Sequence, residues 1–355
     1  MKVSGYVVEL AKELVSIPTV TGEESRVAGL IETELKEAGM EVRRQEVEGA
    51  GFNILASRGR GGLLFLTHLD VFPPYDHPEP FEPKVEGEEI IGRGAADAKG
   101  QIAALISALK ESEGPAEVAL VVDEERLGRG SEALEIPKEC QGAVVLEPTG
   151  LAICTSQAGS IEVEIETLGK AAHGSTPWEG ENAIEKALTI YERLRRLPIL
   201  ERRSRHFPRG WVVLGRIEGG YEPMVVPRRC VMHVDIGFAP GVDPKEAERQ
   251  VREAAEEALS VRVIDLWEGF EVDENSKVVR ALAEAFERAT GRRPEFSGMP
   301  SWTDASNLLR KGLTSVIFGA GRLSVAHSDR EALPIPQLLE MTSILRELID
   351  LWPET

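Results

Sequence analysis

Cysteine, asparagine, glutamine and positive charge are all in short supply in this chain, and each shortage closes off a class of protein. Its 355 residues include three cysteines, Cys140, Cys154 and Cys230. The odd count and the lack of any Cys-x-x-Cys spacing argue against a disulfide framework and a thiolate metal site. No apolar run approaches the roughly 18 residues of a membrane span, and the N-terminus lacks the basic-then-apolar pattern of a secretory signal. The expected location is cytoplasmic, with no membrane partner. Lys and Arg number 41 against 60 Asp and Glu, a net charge of -19, which argues against nucleic acid as a partner. Asn and Gln together number ten while charged residues make up 28%, a composition that resembles thermophile proteins. The glycines of 59–62 and 92–94 are followed by no Gly-Lys-Ser/Thr, so a P-loop is excluded. The chain is long enough for two domains and a sizeable core.

What is present is a rhythm of strands and helices. Residues 3–15 and 22–39 carry apolar positions at helical spacing, the second behind Thr21-Gly22-Glu23-Glu24, which reads as a capping stretch. Leu63 to His68 is an apolar run bounded by Gly61-Gly62 and Pro73-Pro74 and reads as a buried strand. A helix near 99–110 follows, then strands at 117–122 and 143–146. This βαβ order predicts an α/β fold with a mostly parallel sheet covered on both faces. From about Gly159 the pattern changes. Ser160 to Thr167 alternates apolar and charged residues, as in a sheet with one wet face. Helices at 179–197 and 243–258 and strands near 211–217, 229–236 and 260–266 complete a β-α-β-β-α-β unit, the split-βαβ or ferredoxin-like order. A helix to about Thr290, a strand at 314–318 and a helix from Pro334 to Leu351 resume the first pattern. The predicted domains are thus 1–158 with 276–355, and an inserted α+β domain over 159–275.

Acids and histidines gather at the predicted strand ends. His68 and Asp70 close the run 63–67, at the sheet edge where α/β folds bind ligands. A His-x-Asp on one extended face suits a metal ligand beside an orienting carboxylate. Asp97 sits in a glycine-rich turn before a helix, Glu124 and Glu125 end the strand 120–123, Glu147 ends 144–146, and His327 follows the Gly319-Ala320-Gly321 loop. Two histidines and three carboxylates suit a pair of zinc ions with one carboxylate bridging; cobalt or manganese is compatible with the same donors. Two such ions polarise a carbonyl and make a shared water acidic. Glu124, beside Glu125 and not required as a ligand, is the candidate general base. His77 and His206 have no partner at ligand spacing and read as surface residues.

These residues resemble the co-catalytic metallopeptidases that include acetylornithine deacetylase, succinyl-diaminopimelate desuccinylase, carboxypeptidase G and the lysine-biosynthesis deacylases. The resemblance runs through Thr67-His68-Leu69-Asp70-Val71, Gly92-Arg93-Gly94 to Asp97-Ala98-Lys99-Gly100, Asp123-Glu124-Glu125, Leu146-Glu147-Pro148, Ala172-His173-Gly174-Ser175 with Pro177, Gly180-Glu181-Asn182-Ala183 and Ala326-His327. It implies one metal on His68 and Glu147, the other on Glu125 and His327, and Asp97 as the bridge. It also implies that Asp70 orients His68, that Glu124 is the general base, and that the inserted domain dimerises so that His173 stabilises the oxyanion in the partner subunit's site.

On substrate, Glu147 resembles the carboxypeptidases and deacylases, where aminopeptidases usually have Asp. The desuccinylases place Asn before Val-Val-Pro, end the next strand Asp-x-Arg and carry an arginine ahead of Gly-Ser. Here those positions are Met224, Gly237 and Gln157-Ala158. Glycine cannot replace a bidentate arginine, so a dicarboxylate is disfavoured unless Arg228 and Arg229 substitute. Ser160 and Thr303 align with substrate-gripping positions, and Trp302 either narrows the pocket or packs. The expectation is a dinuclear-metal amidohydrolase in which hydroxide attacks an N-acyl amino acid and Glu124 shuttles the proton. The product would be a free amino acid of lysine or arginine biosynthesis, released from an acyl group or from an acidic amino-group carrier protein. A dipeptidase or carboxypeptidase is the nearest alternative. An inactive dimeric binding scaffold is the alternative from another class, disfavoured by the intact ligand set.

Overall fold

The computed structural model describes residues 3–75 and 77–352 and divides into two compact units. The first takes Met1–Thr155, Val272–Ser297 and Thr303–Thr355; the second takes Ser156–Glu271 and Gly298–Trp302. The strands in chain order are β1 (Glu41–Val47), β2 (Gly51–Arg58), β3 (Leu63–His68), β4 (Lys84–Glu86), β5 (Glu89–Ile91), β6 (Ala116–Val121), β7 (Ala143–Val145) and β8 (Ile153–Gln157). They continue with β9 (Gly159–Leu168), β10 (Trp211–Gly219), β11 (Arg229–Phe238), β12 (Ser260–Trp267), β13 (Phe270–Glu271), β14 (Phe296–Met299), β15 (Ser315–Ile317) and β16 (Ala332–Pro334).

In the first unit β6, β3, β7 and β15 run parallel in that order. Strand β3 is buried at every position, as its unbroken apolar run requires of a strand covered on both faces. The flanks of this parallel core are antiparallel. Strands β1 and β2 form a hairpin that joins β6, because a connection as short as residues 48–50 cannot carry the chain back to a parallel start. Strand β8 closes the other side against β15. Helix Gly100–Lys110 is buried from Gly100 to Leu109, which suits a segment apolar all round. Helix Lys277–Thr290 lays Val278, Val279, Leu282, Ala285 and Phe286 inward and stops at Gly291 with φ 68°, the left-handed end that glycine supplies without strain. The Thr21–Glu24 stretch does not cap its helix, which starts at Ser25 with no side-chain cap. Glu24 instead accepts from the N–H groups of Gly22 and Asp123.

The second unit is a four-stranded antiparallel sheet in the order β10-β11-β9-β12. Along β9, buried Ile161, Val163 and Ile165 alternate with half-buried Glu162, Glu164 and Glu166, the period of two that puts one set of side chains on the core face. Helix Ala183–Leu194 is capped by Asn182, whose side chain accepts from the N–H groups of Ile184 and Glu185. It is shorter than the 179–197 expected, because the Asn182 cap starts it at Ala183 and Pro198, which opens a separate 3-10 turn, disfavours helical backbone at the residue before it. Gly298–Trp302 joins this unit through close packing. A Cβ on Gly298 would lie 2.6 Å from the Phe207 ring, and the Trp302 indole meets Trp267 at 4.8 Å.

Candidate metal centre

The parallel strands deliver the acidic and imidazole groups to one edge. His68 is the last residue of β3, Glu124 and Glu125 follow β6, Glu147 follows β7, and His327 lies in the loop after β15. Asp97 enters from the tight turn Ala95–Lys99 that leads into helix Gly100–Lys110. The chain reaches that turn through Gly94 at φ 84°, where an added Cβ would stand 2.6 Å from Val71, so the glycine is needed for both conformation and space.

The donors fall into two groups that share Asp97: His68, Asp97 and Glu147, and Asp97, Glu125 and His327, with the ligand atoms in each group within 4.8 Å of one another. Asp97 turns one oxygen to each histidine. Its Oδ1 lies 3.0 Å from His68 Nε2 and its Oδ2 3.7 Å from His327 Nε2. Glu147 Oε1 stands 3.9 Å from His68 Nε2, and Glu125 Oε2 is 2.9 Å from His327 Nε2.

A second layer of groups holds these donors. His68 Nδ1 lies 2.9 Å from the Asp70 backbone carbonyl, the contact of a donated hydrogen bond, which leaves Nε2 as the acceptor nitrogen a metal needs. The Asp70 carboxylate is more distant, at 3.5 Å; it accepts instead from the N–H groups of Glu124 and Glu125, both at 3.2 Å, and from Thr21 Oγ1 at 2.9 Å. Asp70 thus orients the histidine with its carbonyl and the Glu124-Glu125 segment with its side chain. Buried Glu331 accepts from the N–H groups of Ala96 and Asp97 and pairs with Arg93 at 2.7 Å. Gln101 ties Ala96 to Ala320 on the loop after β15. Asp123 and His327 have left-handed backbones, with φ 64° and 62°, uncommon outside glycine and typical of functional positions.

Four carboxyls and two imidazoles converge here, and the nearby cations are spoken for. Arg93 pairs with Glu331, Arg129 with Asp123, and Lys99 Nζ donates to the Ile17 carbonyl. Burial, then the neighbouring Asp97 charge, pushes the Glu147 carboxyl well above its usual range. Glu125 and Glu124 are pushed up by burial as well, Glu124 strongly. Asp97 goes the other way, since contact with His68 and the charge of His327 outweigh its burial. Glu147 Oε1 is buried without a hydrogen-bond partner. A buried carboxylate so placed is costly unless a cation meets it; the donor set fits divalent metal.

Of the other predicted positions, His173, Ser160, Arg228 and Arg229 belong to the second unit. His173 is exposed, and its Nδ1 accepts from the Ser175 N–H at 3.1 Å. Ser160 lies on β9 between Gly237 and Trp267. Arg228 and Arg229 are exposed, and Arg229 is held by Glu166. The space a side chain at Gly237 would need is filled by the Trp211 indole, 2.1 Å from an added Cβ. Thr303 is buried, and its Oγ1 accepts from the Ala305 N–H at the start of helix Ala305–Arg310. His77 and His206 are half-buried. Sequence reasoning missed Asp304, fully buried, held by Ser131 and pushed up to about 7 by burial. It also missed Glu331, pushed by burial and Asp97 to about 7. The Thr-Asp pair at 303–304 was the available signal for the first; Glu331 had none.

An α/β sheet edge that gathers two triads able to hold metal around one aspartate fits a metal-dependent hydrolase. The profile of peptidase family M20/M25/M40 matches residues 64–351, and the chain belongs to that family. It is 28% identical to a probable carboxypeptidase of Emericella nidulans over 96% of this chain and 88% of that one. It is 29% identical to a putative LysW-lysine/LysW-ornithine hydrolase of Pyrococcus furiosus over 96% of each. The fold is that of a tripeptidase from Staphylococcus aureus, with a TM-score of 0.81 at 21% identity over 98% of both chains. The protein is therefore a hydrolytic enzyme, and family membership implies divalent metal. Among the described residues no helix is long and apolar enough to cross a membrane.

Proposed function

We propose that this enzyme is a dinuclear-metal amidohydrolase that releases a free amino acid from an N-acyl amino acid. His68 and Glu147 would hold one ion, Glu125 and His327 the other, and Asp97 would bridge them. The observation that carries the reading is the Asp97 carboxylate, with one oxygen toward each histidine. When bound, two divalent ions, zinc or cobalt, supply carbonyl polarisation and a water acidic enough to lose its proton near neutral pH. Glu124 takes that proton. The leaving nitrogen needs a proton, and the group that takes one from the water is placed to return it, so Glu124 would hand it on. The Asp70 carboxylate fixes the backbone from which Glu124 projects.

The finer reading is a deacylase of lysine or ornithine biosynthesis, acting on an acylated amino acid or on one carried by an acidic protein. The likeness to the Pyrococcus hydrolase supports it. The likeness to the Emericella protein favours a second reading, a carboxypeptidase or dipeptidase. Acetylated, succinylated and glutamylated lysine and ornithine, assayed beside dipeptides with zinc and with cobalt, separate the two. Turnover of dipeptides alone would reject the deacylase reading. The proposal extends to a cytoplasmic homodimer in which His173 serves the partner's site. With Nδ1 accepting from Ser175, a neutral His173 ring carries its proton on Nε2, the form that donates to an oxyanion. Mixed His173→Ala and Glu124→Ala subunits should then recover activity, and hybrids as inactive as the parents would reject it.

A further inference from the structure

Phe72 touches both ligands of the second triad. Its N–H donates to Glu125 Oε1 at 2.9 Å, and its ring lies flat on the His327 imidazole, with centroids 3.9 Å and planes 7° apart. The ring is supported in turn. Tyr75 meets it edge-on at 5.6 Å, and the Arg93 guanidinium, anchored by Glu331, sits 6.0 Å from its centroid. Pro73 restricts the backbone of the residue before it to an extended form, so the Phe72 N–H and ring are presented together.

The contact matters because of what His327 lacks. A histidine that offers one nitrogen to a metal is ordinarily oriented by a hydrogen bond from the other. His68 has that bond, to the Asp70 carbonyl. Among the described residues no partner meets His327 Nδ1, its side chain is 43% exposed, and its backbone is left-handed. We propose that Phe72 is the positioning residue for the ion held by Glu125 and His327, with the stacked ring replacing the missing hydrogen bond and the N–H aligning Glu125. The proposal rests on the two-ion reading above.

The test strips the full chain with a chelator and titrates it with Co²⁺ by calorimetry, with ion content counted by mass spectrometry after dialysis. The wild type should take two equivalents; fewer would overturn the two-ion reading before any variant is compared. In Phe72→Leu, which keeps the N–H and loses the ring, the equivalent that His327→Ala removes should bind roughly 10- to 100-fold less tightly and the other as in wild type. Phe72→Tyr should restore both. In a His327→Ala background, adding Phe72→Leu should change nothing further. A wild-type second equivalent in Phe72→Leu would overturn the proposal, and so would an equal loss at both sites. If Phe72→Leu does not fold, Phe72→Met, which also keeps the N–H and loses the ring, takes its place with the same two outcomes.

Discussion

The two triads around Asp97 use the same donor types and are held in different ways. His68 ends a strand buried on both faces, is 1% exposed, and is aligned by a backbone carbonyl two residues on. His327 sits in a loop, 43% exposed, and is aligned by an aromatic ring from another segment. One half of the centre is therefore an extension of the core sheet. The other is assembled from loops that the sheet only brings near. The same donor types can thus be held in two ways, with the difference residing in what lies behind the ligands.

Asp97→Ala should cause the largest change, since it removes the group common to both triads. Ion content should fall toward zero at both sites, with activity lost; loss of one ion alone would show that Asp97 is not shared. Next is Glu124→Ala, in which kcat should fall roughly 10²- to 10⁴-fold while two ions remain bound. A parallel loss of metal would make Glu124 a ligand. The comparison itself is sharpened by His68→Ala against His327→Ala. Each should cost one ion, but His68→Ala, at a buried ring, should destabilise the metal-free chain more than His327→Ala, at a ring 43% exposed. The former leaves the buried Asp97 and Glu147 carboxyls facing a cavity, at a cost on the order of 1–3 kcal/mol. Equal melting temperatures for the two variants would erase the distinction drawn between them.

The same division explains what could be read from the sequence. The run Leu63–His68 is apolar because both faces of β3 are covered, and its end marks one half of the site at sight. The alternation along Ser160–Thr167 announces β9 because only one of its faces is fully buried. Strand β8 was not legible, because its buried Thr155, Ser156 and Gln157 carry no apolar signal. The polar edge strand β1 was equally silent. In the site, donors at strand ends could be picked out one by one, but the groups that hold them come from far along the chain. Ser131 and Asp304 are 173 residues apart and Arg93 and Glu331 are 238 apart. No local spacing encodes such pairs. Phe72 escaped for another reason, since an aromatic after a strand reads as core until its ring is found on a histidine.

On the proposed reading one carboxylate, Asp97, joins two metal sites. The most direct measurement is an anomalous difference map from crystals of the zinc-loaded enzyme. Two peaks are expected roughly 3.5 Å apart, one beside His68 and Glu147 and the other beside Glu125 and His327, with Asp97 reaching both. A single peak, or a pair of peaks with only one in contact with Asp97, would contradict it.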